Sequence, residues 1–249
     1  MTTAVPLLIS IEGNIGIGKS TLMSELKARL AHDASVVFVD EPVSLWEDYG
    51  LLAAMYSGEI SRTAFQLMVL NTRCAWLTKA LAVPGVRVVI CERSIWSDKA
   101  VFADVNITGE AERAAYECTF EALCATLPEV THATVLLDAP LDVILARVQK
   151  RARAAEQPTE TEAAEEPKGG IDGAYLRELQ QAHYSYLERC SGPARTVDAT
   201  AAPAQVAHDV FSAISDFVRG RSDGSPIGRP HVVSERAQVE CAGMMDVTA

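Results

Sequence analysis

Residues 6–21 read PLLISIEGNIGIGKST, and this stretch decides the fold. An apolar run at 6–11 reads as a buried strand. Residues 13–21 then fit G-x-x-x-x-G-K-[ST] without a mismatch, and leucine recurs at Leu22, Leu26 and Leu30 with the spacing of a helix. Strand, glycine-rich loop and helix is the context in which this motif holds phosphate. The backbone N–H groups of Gly13, Asn14, Ile15, Gly16, Ile17 and Gly18 can curl round an anion, and Lys19 adds a point charge. Ser20 offers a hydroxyl to Mg²⁺, and Thr21 leads into a helix whose positive end faces the ligand. The motif predicts nucleotide binding and leaves the reaction open. The competing reading is a strand-to-helix turn with no ligand.

Working outward, four more apolar runs stand out, at 36–39 (VVFV), 86–91 (VRVVIC), 133–137 (ATVLL) and, more weakly, 195–197 (RTV). Between them, 63–82, 110–127, 140–153, 174–190 and 203–219 carry helical spacing. Alternating strands and helices predict an α/β fold, a five-stranded parallel sheet with helices on both faces. The expected organisation is one domain over 1–219. An acidic stretch, EQPTETEAAEEPKGG at 156–170, reads as a solvated, mobile insertion, and 220–249 reads as a poorly ordered tail.

The chain of 249 residues holds 22 Lys plus Arg against 33 Asp plus Glu, a net charge of −11, which argues against a nucleic-acid polymer as partner. No apolar run approaches the ~20 residues of a membrane span, and the N-terminus lacks signal or transit features, so a cytoplasmic protein with no membrane partner is expected. Cys74, Cys91, Cys118, Cys124, Cys190 and Cys241 are scattered with no CxxC pair and read as reduced thiols.

Ligands of open parallel sheets bind at the carboxyl ends of the strands. The second apolar run is followed by Asp40-Glu41-Pro42-Val43 and the third by Glu92-Arg93-Ser94. Either group alone could be a helix cap or a surface ion pair. Beside a phosphate loop they supply what phosphoryl transfer needs: a carboxylate for the acceptor's proton, and an arginine and a metal for the transferring group. The densest basic segment, Arg147 to Arg153 with Lys150 and Arg151, precedes the acidic stretch. It reads either as a solvated helix face or as an arginine-bearing lid over phosphates. The overall negative charge therefore does not oppose a small polyanion that meets these local cations.

Read in order, IEGNIGIGKST, EPV, MYSGE…FQ, ERSIWSDKAVF and RVQKRARAAE resemble the deoxyribonucleoside kinase family, in its deoxycytidine, deoxyguanosine and deoxyadenosine kinase branch, from about residue 8 to 198. The resemblance implies a P-loop kinase-type fold, ATP or another triphosphate as donor, Mg²⁺, a small-molecule deoxynucleoside acceptor and a homodimer built on 63–82 and 110–127. It implies that Glu41 is the general base, that Arg93 holds the 5′-hydroxyl and the phosphoryl group, and that Ser20 and Glu92 form the Mg²⁺ shell. Tyr56 and Glu156 are implied as partners of the 3′-hydroxyl. Arg147, Arg151 and Arg153 are implied as arginines of a lid over about 147–156, with the insertion following at about 157–170. Trp46, Met55, Phe65 and Phe102 are implied as pocket walls and Gln66 as the base reader; each aromatic could equally be plain core.

Arg73 lies seven residues beyond Gln66 on the same helix face, and in family terms Arg73 and Asp98 decide the base. Such a pair supplies a donor for a carbonyl and an acceptor for an exocyclic amine, and fills the space of a thymine methyl. Deoxycytidine and purine deoxynucleosides are therefore expected over thymidine; the plainer reading is a structural ion pair. Val69, where relatives often carry a small residue, and Trp96, where Tyr is commoner, depart from the pattern. The alternatives are a thymidine or pyrimidine deoxynucleoside kinase, a nucleoside monophosphate kinase and a non-catalytic kinase-like subunit. The monophosphate reading needs a cationic acceptor site where EPV places an anion. The non-catalytic reading is opposed by the presence of Lys19, Glu41 and Arg93.

Overall fold

The computed structural model describes residues 5–151 and 171–220. Strand β1 (Leu7–Glu12) is buried at all six positions, which explains its unbroken apolar reading: it has a sheet neighbour on each side and helices on each face. The other strands are β2 (Val36–Val39), β3 (Val88–Glu92), β4 (Thr131–Asp138) and β5 (Ala194–Asp198). All pair in parallel in the order β2-β3-β1-β4-β5, so β1 lies at the centre.

Alternation along β1 sorts the core. Leu7, Ile9 and Ile11 pack with Leu22, Met23 and Leu26 of α1 (Lys19–Leu30) and with Val210, Ile214 and Phe217 of α10 (Pro203–Gly220). Leu8 packs with Leu77, Ala80 and Leu81 of α4 (Arg62–Leu81). Ser61 caps α4 by accepting from the Ala64 N–H at 3.1 Å. The remaining long helices are α7 (Glu110–Thr126), α8 (Leu141–Arg151) and α9 (Gly173–Arg189).

The fold is the expected one, with shifted boundaries. β3 begins at Val88, two residues later than its apolar run, and the weak fifth run is a full edge strand paired with β4. Two helical regions are additional. Residues 43–57 form α2 (Val43–Asp48) and α3 (Leu51–Ser57), separated and ended by left-handed Gly50 (φ 68°) and Gly58 (φ 79°). Pieces this short carry too little period to stand out in sequence. The other region is α5 (Ile95–Ser97), a π-helical stretch (Asp98–Ala103) and α6 (Asp104–Asn106), entered through reciprocal Ser94–Ser97 capping. The insertion expected at about 157–170 lies outside the described residues, as do Arg153, Glu156 and the tail expected at 220–249 except for its first residue, Gly220, which ends α10. Among the described residues no helix is long and apolar enough to cross a membrane.

His132 on β4 is buried, its Nε2 2.9 Å from Ser10 Oγ and its ring 4.8 Å from that of Trp96. Trp96 thus packs on the sheet. Burial lowers the His132 pKa from 6.5 to about 4. Below pH 6.5 the unfolded chain takes up a proton at this residue that the folded chain refuses until about pH 4. Stability should therefore fall with pH across that window, by about 3 kcal/mol from this residue. Urea unfolding at pH 7, 5.5 and 4.5 reads the slope. The paired substitution S10A/H132L should flatten it, and an unchanged slope would assign the acid sensitivity elsewhere.

Candidate active site

The parallel strands deliver their carboxyl ends to one edge, and the loops after β1, β2 and β3 meet there around a cavity of about 490 Å³. The phosphate loop forms its floor. A Cβ on Gly13 (φ 135°) would fall 2.6 Å from the Leu137 carbonyl oxygen, and one on Gly16 (φ 78°) 2.6 Å from Val148 Cγ2, so neither position admits a side chain. Lys19 folds back over the loop and donates to the carbonyls of Gly13 (3.2 Å) and Asn14 (3.0 Å). Asn14 stiffens the loop: its Oδ1 accepts from the Ile15 N–H at 2.8 Å, and its Nδ2 donates to Leu176 O of α9 at 2.7 Å. Ser20 Oγ donates to Glu92 at 3.0 Å. Burial and the nearby Glu41 charge raise the Glu92 pKa.

Opposite the loop lies a buried charge cluster. Glu41 Oε1 accepts from Arg73 Nη2 and lies 3.3 Å from Arg93 Nε. Burial alone would push the Glu41 carboxyl up, but Arg73, Arg93 and Lys19 outweigh it and hold it down at about 2. Arg93 is the one non-glycine residue with positive φ (65°) among the described residues. Its turn is fastened on both sides: its N–H donates to Ile11 O at 3.1 Å, and the Ser94 N–H donates to the buried carboxyl of Glu12 at 3.0 Å. A left-handed non-glycine residue costs ~1–3 kcal/mol and persists where its surroundings impose it. Here it aims a guanidinium at Glu41.

The far half of the cavity is built from α2, α3, α4 and the π-helical stretch. Trp46 and Phe65 meet edge to face at 5.8 Å, in a cluster with Val69 and, at its rim, Met55 and Tyr56. The buried face of α4 carries Gln66 and Arg73 among Phe65, Val69, Leu70 and Leu77, two polar residues on an apolar stripe. Arg73 reaches Glu41, the Glu92 carbonyl (3.4 Å) and the Asp98 carboxylate (3.5 Å). Asp98 also accepts from Tyr116 of α7 at 2.6 Å, and burial raises its pKa to about 6 against the pull of Arg73. Gln66 Oε1 and Asp98 Oδ1 are buried without a hydrogen-bond partner, the mark of a polar site built for a ligand. Phe102 lies under the Arg93 guanidinium, 4.5 Å from ring centre to Cζ.

The cavity thus gathers Ile15 through Thr21, Glu41, Trp46, Met55, Tyr56, Phe65, Gln66, Arg73, Glu92, Arg93, Asp98, Phe102, Arg147 and Arg151, all singled out in the sequence. Gly13 and Asn14 lie beneath the loop rather than on its wall. Arg147 donates to the carbonyls of Ile17 (3.0 Å) and Ala199 (2.8 Å), tying α8 to the loop. The Arg73–Asp98 pair is present, and the structure adds a tie from Arg73 to Glu41. Sequence reasoning missed Glu12, Tyr116, His183 and the wall residues Asn106 and Tyr175, which hydrogen bond at 3.0 Å. For His183 a signal existed, a polar residue on the apolar stripe of α9 with Leu176 and Leu179.

Ser20 and Glu92 are hard oxygen donors 3.0 Å apart, a set that suits Mg²⁺, an ion that takes one or two protein oxygens and completes its shell with phosphate and water. Among the described residues no group of three or more His, Cys, Asp or Glu would hold a metal unaided.

Comparison with known proteins gives a concordant picture. A family model described as deoxynucleoside kinase matches residues 9–219. A deoxyadenosine/deoxycytidine kinase of Bacillus subtilis (strain 168) is 28% identical over 158 residues, covering 61% of this chain and 69% of that protein. A protein of Fowlpox virus (strain NVSL) named "Probable deoxycytidine kinase" is 31% identical over 154 residues, covering 59% of this chain and 63% of that protein.

Burial, followed by the Arg93 charge, lowers the Lys19 pKa to about 7, while Glu92, Glu41 and Glu12 pull the other way. An anion in the loop favours charged Lys19, so above pH 7 its binding must draw in a proton. Calorimetric titration of a non-hydrolysable ATP analogue at pH 8.5, in buffers of different ionisation heat, should show proton uptake that fades below pH 7. K19R, whose charge is fixed, should lose it. Equal uptake in K19R would place the proton elsewhere.

Proposed function

The chain belongs to the deoxynucleoside kinase family, and we propose that it transfers the γ-phosphoryl group of ATP to the 5′-hydroxyl of deoxycytidine and purine deoxynucleosides in preference to thymidine. The observation that carries this reading is the placement of Glu41 and Arg93 across one cavity from Lys19 and the phosphate loop. The loop amides and Lys19 hold the triphosphate. Glu41 accepts the hydrogen bond of the 5′-hydroxyl and orients its oxygen toward the γ-phosphorus. Its depressed pKa makes it a weak base, which suits a loose transition state in which the acceptor gives up its proton late. Arg93, released in part from Glu41, stabilises charge on the equatorial oxygens. Ser20 and Glu92 would hold Mg²⁺, which neutralises phosphate charge when bound.

Base preference rests on Gln66, Arg73 and Asp98. The Gln66 amide offers one donor and one acceptor to a base edge, and the Arg73–Asp98 pair supplies a donor for a carbonyl and an acceptor for an exocyclic amine while filling the space of a thymine methyl. The proposal extends to a cytoplasmic homodimer through α4 and α7, which pack side by side with Tyr116 and Phe120 of α7 against Leu70 and Cys74 of α4. A single species of monomer mass in sedimentation would contradict that part.

Phosphorylation of dC, dA, dG and dT, with ATP and UTP each as donor, reads the preference, and the highest kcat/KM on thymidine would overturn it. Substituting E41Q should lower kcat by ~10²–10⁴-fold, with KM for ATP little changed. Full turnover in E41Q would remove Glu41 from the chemistry.

A further inference from the structure

We infer that His183 of α9 is a positioning residue for Arg93, holding its guanidinium as a neutral hydrogen-bond acceptor. The inference rests on the reading of Arg93 as the group that meets the transferring phosphoryl.

The hydrogen-bond partners fix the tautomer. His183 Nδ1 lies 2.6 Å from the Leu179 carbonyl oxygen, which can only accept, so Nδ1 carries the proton. His183 Nε2 lies 3.3 Å from Arg93 Nη1, which can only donate, so Nε2 presents its lone pair. An imidazolium there would set N–H against N–H beside a like charge. Burial and the Arg93 charge accordingly hold the His183 pKa down at about 3, so the neutral form persists at any working pH. The residue is 2% exposed, and Phe102 braces its ring at 6.0 Å with an interplanar angle of 89°.

The grip closes a set of restraints. Glu41 holds Arg93 Nε, the Phe102 ring lies under the guanidinium, and Glu12 fixes the following peptide through Ser94. Without His183, Nη1 has no described hydrogen-bond partner in a buried site, and the guanidinium can swing about the remaining Nε contact. The helix is also well anchored. On one face of α9, Leu176 O accepts from Asn14 of the phosphate loop, and the Tyr186 hydroxyl lies 3.4 Å from Ser94 Oγ. One rigid element therefore sets the loop, the arginine and the turn after it in a common frame.

Steady-state kinetics of H183N, H183Q and H183L, alone and combined with R93A, test this. The Gln amide reaches the place of Nε2, whereas the Asn amide reaches only the place of Nδ1. H183N and H183L should lose kcat by roughly 10–10²-fold, the scale of a small misplacement of a reacting group, with KM for ATP little moved. H183Q should recover most of that loss. In the R93A background H183N should cost nothing further. Melting temperatures separate these effects from unfolding, and the matched Asn and Gln variants keep the test open if H183L does not fold. H183Q as slow as H183N at equal melting temperature, or an equal loss from H183N with and without Arg93, overturns the inference. Impaired R93A with unimpaired H183N and H183L overturns it alone and leaves the role of Arg93 standing. Full kcat in R93A overturns both.

Discussion

The site depends on one carboxylate shared between two arginines. Glu41 comes from the end of β2, Arg73 from the middle of α4 and Arg93 from the end of β3, and their charged ends meet in a largely buried space. None could stay buried and charged alone. Removing one partner of a buried pair typically costs ~3–5 kcal/mol because the other charge is left uncompensated. The arrangement holds only while the sheet register keeps both strand ends level and α4 keeps its distance. Much of the core, from Leu8 and Leu77 to Trp46 and Phe65, serves to maintain that spacing.

The same constraint explains the division of the molecule. One face of β1, through Leu7, Ile9 and Ile11, rests on α1 and α10, in an apolar layer that binds the phosphate loop to the body. The opposite face begins apolar at Leu8 and turns polar toward its end, at Ser10 and Glu12, as it nears the cavity. Burial continues where hydrophobicity stops, and each polar group there is met by another element: Ser10 by His132, Glu12 by the Ser94 amide, Ser94 by Tyr186.

Much of this was legible in the sequence, for identifiable reasons. The strands showed as short apolar runs because a parallel sheet buries both faces. Glu41 and Glu92-Arg93 stood out because ligands gather at strand ends in such sheets. Gln66 and Arg73 could be paired because a helix brings residues seven apart to one side. What escaped notice depends on distance through space rather than along the chain. The family resemblance pairs Arg73 with Asp98, yet the tie from Arg73 to Glu41 spans 32 positions and no periodicity reports it. His183 meets Arg93 across 90 positions, and its role rests on a tautomer set by a carbonyl four residues back. The helices at 43–57 were hidden by the glycines that cut them short.

Arg73 carries a consequence for how this enzyme can change. Its guanidinium touches the carboxylate read here as the acceptor's proton partner and the carboxylate read here as a contact to the base. Selection on one trait is then never free of the other. A drift in Arg73 that suits a new base would also loosen Glu41 and slow turnover, so a lineage shifting its diet of nucleosides meets a valley at this residue. Easier routes run through neighbours that line the cavity on the side read here as the base's, such as Val69 and Gln66, whose volume and polarity can vary while the shared arginine stays put.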